Sequence, residues 1–362
     1  MAVQGQGVIA WQASVPVAPE LLEIDEPGPH EVLVRIEASG VCHTDLHIQK
    51  GYIGELPLLL GHEGAGVVEA VGPGVTQPRV GDYVILAWRA PCGACRFCRI
   101  GQLHYCAASL NGQPRQHTPD GRYPPPIMGL GTFATHTVVH AAQAIPVPRE
   151  IPPAQACLIA CGVMTGVGAV LYTAQVRPGS TVAVFGAGAV GTSVIQGARL
   201  AHAAKIIAVD IEPRKLEWAQ RFGATHTVNA TDGDPVEQIR ALTDGYGVNY
   251  AFECVGHPQV LQQVLAARDL AGVAVLIGVP PAGSVLPLDL QWLFSRGGAL
   301  KPSWYGDCLP TRDFPMLVDW YLKGELLLDE LVTRRIGLGD VQAAFDAMER
   351  GETLRSVVVF DR

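Results

Sequence analysis

The chain has 362 residues, of which 48% are hydrophobic and 17% are charged, and its formal net charge is −8. This length is too great for one ordinary hydrophobic core and predicts two domains. The composition excludes a disordered or coiled-coil protein. The sequence has no basic stripe interleaved with aromatic residues, which argues against nucleic acid as a partner.

The first residues, MAVQGQGVIAWQ, do not follow the charged-then-apolar pattern of a secretory signal. We find no uninterrupted apolar run of the roughly 18 residues that a bilayer span needs. These features predict a cytoplasmic protein with no membrane partner. The nine cysteines are an odd number for a disulfide framework, and clustered cysteines in a reducing compartment more often bind metal.

The first third of the chain predicts an antiparallel β domain, because short alternating runs at 31–41, 64–75 and 81–88 are separated by glycine turns. The polar, Pro/Gly-rich segment 107–131 has no helical period. We interpret it as a long loop of the kind that borders binding sites.

From about residue 165 strands and helices alternate. Strands are predicted at 180–186, 205–210, 225–229, 250–256 and 273–279, and helices at 189–200 and 213–224. This alternation is typical of a parallel sheet with helices on both faces. After about residue 305 the alternation stops, and the strand-like 356–360 follows. A dinucleotide-type domain is therefore either inserted into the first domain or followed by the return of that domain.

Gly186, Gly188 and Gly191 form a GxGxxG motif between a predicted strand and a predicted helix. The next strand ends in Asp210, in the place of the carboxylate that binds the adenosine ribose of NAD and repels the 2′-phosphate of NADP. The glycines would allow a tight turn, a close approach to a pyrophosphate, and helix–strand packing. The alternative is an ordinary glycine turn with a helix-capping aspartate.

Four cysteines, Cys92, Cys95, Cys98 and Cys106, lie within fifteen residues. Such spacing lets one segment surround a tetrahedral ion, and four thiolates leave no open position, so the predicted zinc is structural. The alternatives are an iron–sulfur cluster, which shares the Cys-x-x-Cys-x-x-Cys opening, and ordinary buried cysteines.

A catalytic zinc needs three protein ligands and a fourth, open position. The remaining candidate ligands are Cys42, His62, Glu63 and Cys161. Each of them, taken alone, is more often structural. Cys157, Cys254 and Cys308 have no such neighbours and are expected to pack as small hydrophobic residues.

The order and spacing of several segments resemble the medium-chain zinc-dependent alcohol dehydrogenase family from end to end. The segments are GVCHTDLH (40–47), GHEGAGVVEAVGPGV (61–75), CGACRFCRIGQLHYC (92–106), GVMTGVGAV (162–170), VFGAGAVG (184–191) and IIAVDI (206–211). The resemblance implies an α/β protein with a GroES-like β-rich catalytic domain and a Rossmann domain with a doubly wound parallel sheet. We expect the catalytic domain at 1–162 with a zinc lobe at 92–106, the Rossmann domain at 163–304, and a return to the first domain at 305–362.

The resemblance also implies roles for matching residues and two Zn²⁺ per chain. The implied ligands of the catalytic zinc are Cys42, His62 and Cys161. The implied catalytic residues are Thr44, which bonds the substrate oxygen, His47, which ends a proton relay, Asp45, which orients the histidine ligand, and Glu63, which lies behind the metal. The implied NAD contacts, besides the motif and Asp210, are His43, Lys215 and Arg355, and the implied substrate-pocket residues are Ile53, Trp88, Ile127 and Met128.

The implied activity is NAD-linked hydride transfer to or from a small primary alcohol or aldehyde, aromatic ones included. A finer similarity is to the mycothiol-dependent formaldehyde dehydrogenase (S-nitrosomycothiol reductase) branch. It is carried by LAWRAPCGAC (86–95), GGALKPSWYGDCLP (297–310), FPMLVDWYLKGEL (314–326) and LRSVVVF (354–360). That branch has a threonine-like residue at the position of His47, so the departure keeps plain alcohols open as substrates.

Other classes fit less well. A zinc-free quinone oxidoreductase of the same superfamily would not need the candidate ligands, and a cysteine at position 161 argues against a polyol dehydrogenase. A catalytically inactive structural zinc protein is the alternative outside the enzymes. The segment VAVLIGV (273–279) is expected at the edge of the Rossmann sheet, where it would pair with a second copy. The resemblance therefore implies a homodimer or a larger homo-oligomer.

Overall fold

The computed structural model describes residues 3–360. The strands are β1 Val3–Ala10, β2 Pro19–Ile24, β3 Glu31–Gly40, β4 Leu58–Leu59, β5 Glu63–Val71, β6 Tyr83–Leu86, β7 Gln116–His117, β8 His136–His140, β9 Ala144–Pro146, β10 Thr181–Phe185, β11 Lys205–Asp210, β12 His226–Asn229, β13 Val248–Glu253, β14 Arg268–Leu276, β15 Ala299–Pro302, β16 Val332–Ile336 and β17 Arg355–Val359. The helices are α1 His43–Gln49, α2 Arg96–Arg99, α3 Pro153–Leu158, α4 Met164–Gly168, α5 Ala189–Leu200, α6 Pro213–Arg221, α7 Pro235–Ala241, α8 Pro258–Ala267, α9 Leu290–Arg296, α10 Pro310–Leu322 and α11 Val341–Glu349.

The chain forms two compact units. The first consists of Met1–Cys161 together with Leu309–Arg362, and the second is the continuous segment Gly162–Cys308. The first unit is therefore discontinuous in sequence.

Two β-sheets form the first unit. One has the order β4-β1-β2-β7, and the other has the order β16-β17-β3-β5-β6-β9 with β8 also paired to β3. Three clusters of buried aliphatic and aromatic side chains form its core. The segment 107–131, predicted as a loop, contains only the two-residue strand β7 and a short 3-10 turn at Ile127–Gly129.

The centre of the larger sheet determines where the candidate ligands lie. Strand β3 pairs antiparallel with β5, and Gly40 faces Glu63 across that ladder. On its other side β3 pairs with β17, where Gly40 faces Val357. The end of β3, the start of β5 and the middle of β17, which are distant in sequence, thus lie side by side.

The second unit contains a six-stranded parallel sheet with the order β12-β11-β10-β13-β14-β15. This order is that of a doubly wound dinucleotide-binding fold, as the strand–helix alternation predicts. Its core combines the sheet with residues of the flanking helices.

The expectation that VAVLIGV forms the edge of this sheet is wrong. Most of that segment belongs to β14, which lies between β13 and β15. The edge strand next to β14 is β15, only four residues long, and so short a strand leaves no recognisable alternation in the sequence.

The helical stretch Pro153–Ala174 is long and apolar enough to cross a membrane by length and composition, with a mean hydropathy of 1.9 over its 18-residue window. This corrects the sequence-based expectation, which required an uninterrupted apolar run. Because 83% of that window is buried inside the structure, the stretch is a core helix of a folded protein.

Candidate metal centres and dinucleotide site

One candidate metal centre lies where β3, β5 and β17 meet. Cys42 follows β3 and precedes α1, while His62 and Glu63 stand at the start of β5. Cys161 lies in a π-helical turn, Ile159–Val163, an irregularity that is frequent at functional sites. One ligand atom from each of these four residues lies within 4.8 Å of all the others.

His62 is fully buried and held in one orientation. Its Nδ1 lies 3.1 Å from Oδ1 of Asp45, which also accepts a hydrogen bond of 3.0 Å from the backbone N–H of Gly61. The other oxygen of Asp45 accepts a bond of 3.3 Å from the N–H of Cys42. A carboxylate behind the imidazole is the usual support of a histidine ligand.

The second nitrogen of His62, Nε2, is buried and makes no hydrogen bond within residues 3–360. A buried imidazole nitrogen without a partner is unfavourable in a folded protein. The neighbouring donor set is two thiols and one carboxylate, which with imidazole suits Zn²⁺. These residues fit a zinc ion.

The electrostatics of the centre favour a cation. Burial lowers the pKa of His62, but the charges of Asp45 and Cys42 outweigh it and raise that pKa to about 10. Cys161 donates to the Cys42 sulfur, which lowers the pKa of Cys42 well below its usual value. The same contact raises the pKa of Cys161. An environment that retains a proton this strongly also attracts a divalent metal.

Glu63 lies against Arg355 of β17, and the two form a buried ion pair. Arg355, which the resemblance implies as a pyrophosphate contact, is only 6% exposed. A Cβ at Gly40 would lie 2.1 Å from Oε2 of Glu63. Only glycine leaves room for this carboxylate.

The four clustered cysteines form a second candidate metal centre. The sulfur of Cys95 lies 3.6 Å from that of Cys98 and 3.9 Å from that of Cys106. Tetrahedral zinc with Zn–S distances of about 2.3 Å requires sulfurs about 3.8 Å apart. The N–H groups of Cys92 and Cys95 point at the sulfurs of Cys106 and Cys92. Backbone donors at Cys98 and Ala107 lower the pKa of Cys95 to about 6. The cluster fits a closed zinc site.

All nine cysteines, which lie within residues 3–360, are free thiols. Cys157 and Cys308 are buried, as expected for small hydrophobic residues, while Cys254 is half-buried.

The glycine motif joins β10 to α5. Gly186 has φ +92°, and a Cβ at Gly191 would lie 1.8 Å from the carbonyl oxygen of Gly186, so both positions require glycine. A Cβ at Gly188 would meet nothing within 4 Å, which leaves open space at the start of α5. Backbone N–H groups at a helix start suit a phosphate. These positions fit a dinucleotide.

Asp210 ends β11 beside the motif. Its Oδ2 accepts a hydrogen bond of 2.7 Å from the N–H of Ala187, and its Oδ1 accepts one of 3.0 Å from Glu212. Asp210 therefore supports the glycine turn. Lys215 is half-buried on α6.

The other predicted residues are less close together. His43, Thr44 and His47 share α1, and the rings of His43 and His47 lie 6.2 Å apart. Among the pocket residues, Ile53, Ile127 and Met128 belong to one apolar cluster, in which Ile127 is fully buried. Trp88 packs against a different cluster.

Two glycines that shape this centre, Gly40 and Gly61, are not among the residues predicted from the sequence. Gly40 makes room for Glu63, and Gly61 has φ +88° and would place a Cβ 2.2 Å from the N atom of Phe133. The signal available in sequence was their position immediately before Val41-Cys42 and His62-Glu63. A glycine directly before a ligand often meets a backbone requirement.

Comparisons with known proteins agree with this geometry. The alcohol dehydrogenase GroES-like domain matches residues 28–149, and the zinc-binding dehydrogenase domain matches residues 189–323. The chain is 40% identical to an S-(hydroxymethyl)glutathione dehydrogenase of Aspergillus oryzae, over 98% of this chain and 95% of the relative. It is 39% identical to an alcohol dehydrogenase class-3 of Drosophila melanogaster, over 98% and 97%.

Solved structures are also similar. An alcohol dehydrogenase zinc-binding domain protein from Burkholderia ambifaria superposes with a TM-score of 0.95 at 37% identity, covering 100% of both chains. A benzyl alcohol dehydrogenase from Acinetobacter calcoaceticus gives 0.92 at 32% identity, covering 99% of this chain and 100% of that one.

The chain belongs to the zinc-dependent alcohol dehydrogenase family. It is an oxidoreductase of the alcohol dehydrogenase type, acting on small-molecule alcohols or aldehydes, and the predicted combination of a GroES-like and a Rossmann-type domain is confirmed.

Proposed function

We propose that this enzyme transfers a hydride between a primary alcohol or aldehyde and NAD, with one catalytic and one structural zinc ion per chain. The observation that carries the proposal is the buried, unpartnered Nε2 of His62 beside the thiols of Cys42 and Cys161. Three such ligands leave one position for the substrate oxygen.

In this proposal zinc supplies a Lewis acid at the substrate oxygen and NAD supplies the hydride acceptor. Asp45 holds the tautomer of His62. Thr44 would accept the proton of the substrate hydroxyl, and His47, on the same helix, would release a proton to solvent at the end of the relay. Arg355 neutralises Glu63, so this carboxylate does not add a net negative charge beside the two thiolates.

The preference for NAD is argued from Asp210, whose carboxylate would repel a 2′-phosphate. We expect Asp210→Gly to lower kcat/KM with NAD at least about tenfold and to shift the NAD:NADP ratio of kcat/KM toward NADP. Because Ala187 also loses its acceptor, binding of both cofactors weakens. Initial rates with each cofactor measure the ratio.

The matched control is Asp232→Gly. Asp232 is an exposed carboxylate after β12, and its replacement should leave the NAD:NADP ratio of kcat/KM unchanged. An unchanged ratio in Asp210→Gly itself would contradict the ribose assignment.

We also propose a homo-oligomer formed through the edge strand β15. Three apolar side chains in the segment that precedes β15 in sequence are strongly exposed, namely Val285, Leu290 and Phe294, the last by 89%. An unpaired strand edge and exposed apolar side chains each favour pairing with a second copy.

Phe294→Asp is expected to dissociate the assembly to a species of 38.5 kDa, measured by light scattering after gel filtration. Tyr246→Asp, at another exposed aromatic residue, is the control and should stay assembled. If the wild-type protein is a monomer at micromolar concentration, this part of the proposal is wrong.

A second candidate substrate is the hydroxymethyl adduct that formaldehyde forms with a thiol cofactor. The relatives described as S-(hydroxymethyl)glutathione dehydrogenases favour it. That the thiol is mycothiol stays a prediction from the sequence. The presence of His47 and the similarity to a benzyl alcohol dehydrogenase favour plain alcohols.

A cytoplasmic location stays a prediction.

Initial rates of NAD reduction separate the two substrates. One set of assays contains formaldehyde alone, with mycothiol and with glutathione, and the other contains primary and benzylic alcohols. A strict requirement for mycothiol selects the adduct, and high rates with plain alcohols and no thiol effect select the general alcohol dehydrogenase. Absence of turnover in every assay would favour the inactive zinc protein.

A further inference from the structure

A buried carboxylate with no role in the proposed chemistry ends β13. Glu253 has no exposed surface, and its Oε1 accepts backbone N–H groups from Val255 at 2.9 Å, Gly256 at 2.8 Å and His257 at 3.4 Å. Its Oε2 is buried and has no hydrogen-bond partner among the described residues. One side chain thus fixes the whole loop 254–257.

The position of Glu253 in the sheet is at the point where the strand order reverses. It faces Phe185 of β10 in the parallel ladder, and the N–H of Cys254 donates to the carbonyl oxygen of Phe185 at 2.9 Å. Strands β11 and β12 lie on one side of this pair, and β14 and β15 on the other. In doubly wound sheets the ligand binds in the crevice at this point.

Glu253 also organises the next loop along the sheet. Its backbone carbonyl accepts N–H groups from Ile277 at 2.9 Å and Gly278 at 3.0 Å. A Cβ at Gly278 would lie 2.1 Å from the N atom of Gly256 and 2.7 Å from Oε2 of Glu253. The loops after β13 and β14 therefore pack directly on each other, with the carboxylate between them.

Loop 254–257 also touches the glycine motif. A Cβ at Gly186 would lie 2.7 Å from the Val255 side chain, which is itself 54% exposed. The loop is thus in contact with the proposed pyrophosphate turn while part of it faces solvent.

A buried carboxylate is costly unless it is hydrogen-bonded, and burial raises the pKa of the Glu253 carboxyl despite its backbone donors. Packing alone would be satisfied by an apolar residue. Three charge-assisted backbone bonds instead specify one loop conformation.

We propose that Glu253 is a positioning residue for the nicotinamide half of the cofactor, acting through loops 254–257 and 277–279. A doubly wound sheet consists of two mononucleotide-binding halves. The half containing β10–β12 carries the glycine motif and Asp210, and so takes the adenosine end. The half that begins with β13 takes the other nucleotide. This inference rests on the proposed dinucleotide site.

The test compares two ligands in binding experiments that need no turnover. NADH carries both nucleotides, and ADP-ribose lacks the nicotinamide ring. We expect Glu253→Ala to raise the Kd of NADH about tenfold or more, as for the loss of hydrogen bonds to a charged group. The Kd of ADP-ribose should change less than about threefold. Calorimetry measures both values, with zinc content and circular dichroism as checks of folding.

Two further variants keep the inference testable if Glu253→Ala does not fold. Glu253→Gln retains an oxygen that can accept all three N–H groups and should bind NADH within about threefold of the wild type. Glu253→Asp retracts the acceptor by one methylene and should weaken NADH selectively. Asp210→Gly serves as the opposite control, because it should weaken ADP-ribose and NADH alike.

The inference is overturned if folded Glu253 variants bind NADH as the wild type does, or if NADH and ADP-ribose weaken by equal factors. Equal weakening would mean that Glu253 has a merely structural role. If the wild-type protein binds neither ligand, it is the proposed dinucleotide site that fails.

Discussion

We expect Cys42→Ala to lower kcat by at least about three orders of magnitude and to remove one of the two proposed zinc ions per chain. We expect the fall in kcat because a Lewis acid at the substrate oxygen is worth several kcal/mol of transition-state stabilisation. We expect the loss of zinc because the two remaining proposed ligands, His62 and Cys161, would hold the ion weakly. Steady-state rates and metal analysis of the same preparation measure both.

The matched control is Cys157→Ala, at a thiol that is buried in the first unit and lies outside both ligand groups. It should keep two zinc ions and nearly the wild-type rate. A Cys42→Ala protein that retained both its zinc ions and its activity would rule out the assignment of Cys42 as a ligand. Loss of zinc with retained activity would show that the chemistry lies elsewhere.

Cys95→Ser produces the opposite pattern. We expect loss of the other zinc ion and a large fall in thermal stability, because structural zinc contributes directly to folding free energy. The segment 92–106 contains only the one-turn helix α2 and a 3-10 turn, and none of the residues of α2 is buried. Without metal the segment would depend on hydrogen bonds such as those from Arg89 to the carbonyl oxygens of His104 and Cys106.

Calorimetric unfolding and zinc analysis test this prediction, with Cys308→Ala as the control for loss of a buried thiol. The folded fraction of Cys95→Ser should retain hydride transfer per active site. A variant with wild-type stability but no hydride transfer would contradict the structural role of this zinc.

Local patterns predicted most of the second unit. The helix at 189–200 and the strand at 205–210 coincide with α5 and β11, because a buried parallel strand leaves a continuous apolar run and an amphipathic helix leaves a period of about 3.6 residues. The edge strand β15 was missed because four residues are too few for a period. Pro153–Ala174 was missed because small and polar residues interrupt its apolar run.

The candidate metal centres differ in what sequence could reveal. The four-cysteine group is local, so its spacing alone predicted it. The other group needed family resemblance, since strand pairing rather than spacing brings Cys42 to His62. The contact of Arg355 with Glu63 depends on β17 lying beside β3, which no local pattern encodes. The buried position of Glu253 is not predictable from sequence, because a single acidic residue at the end of an apolar strand usually marks the end of the strand and the start of an exposed loop. The roles of all these residues stay predictions.

The discontinuity of the first unit has a consequence for biosynthesis. Residues 162–308 are contiguous and can fold as soon as they emerge from the ribosome, as domains generally do. The centre around Cys42 lacks β17 and Arg355 until residue 355 has been translated. The side chains of the candidate ligands are therefore synthesised before the entire second unit, and β17 is synthesised after it. We therefore expect the proposed zinc of this centre to bind stably only late in synthesis, whereas the contiguous four-cysteine segment could bind its proposed ion early.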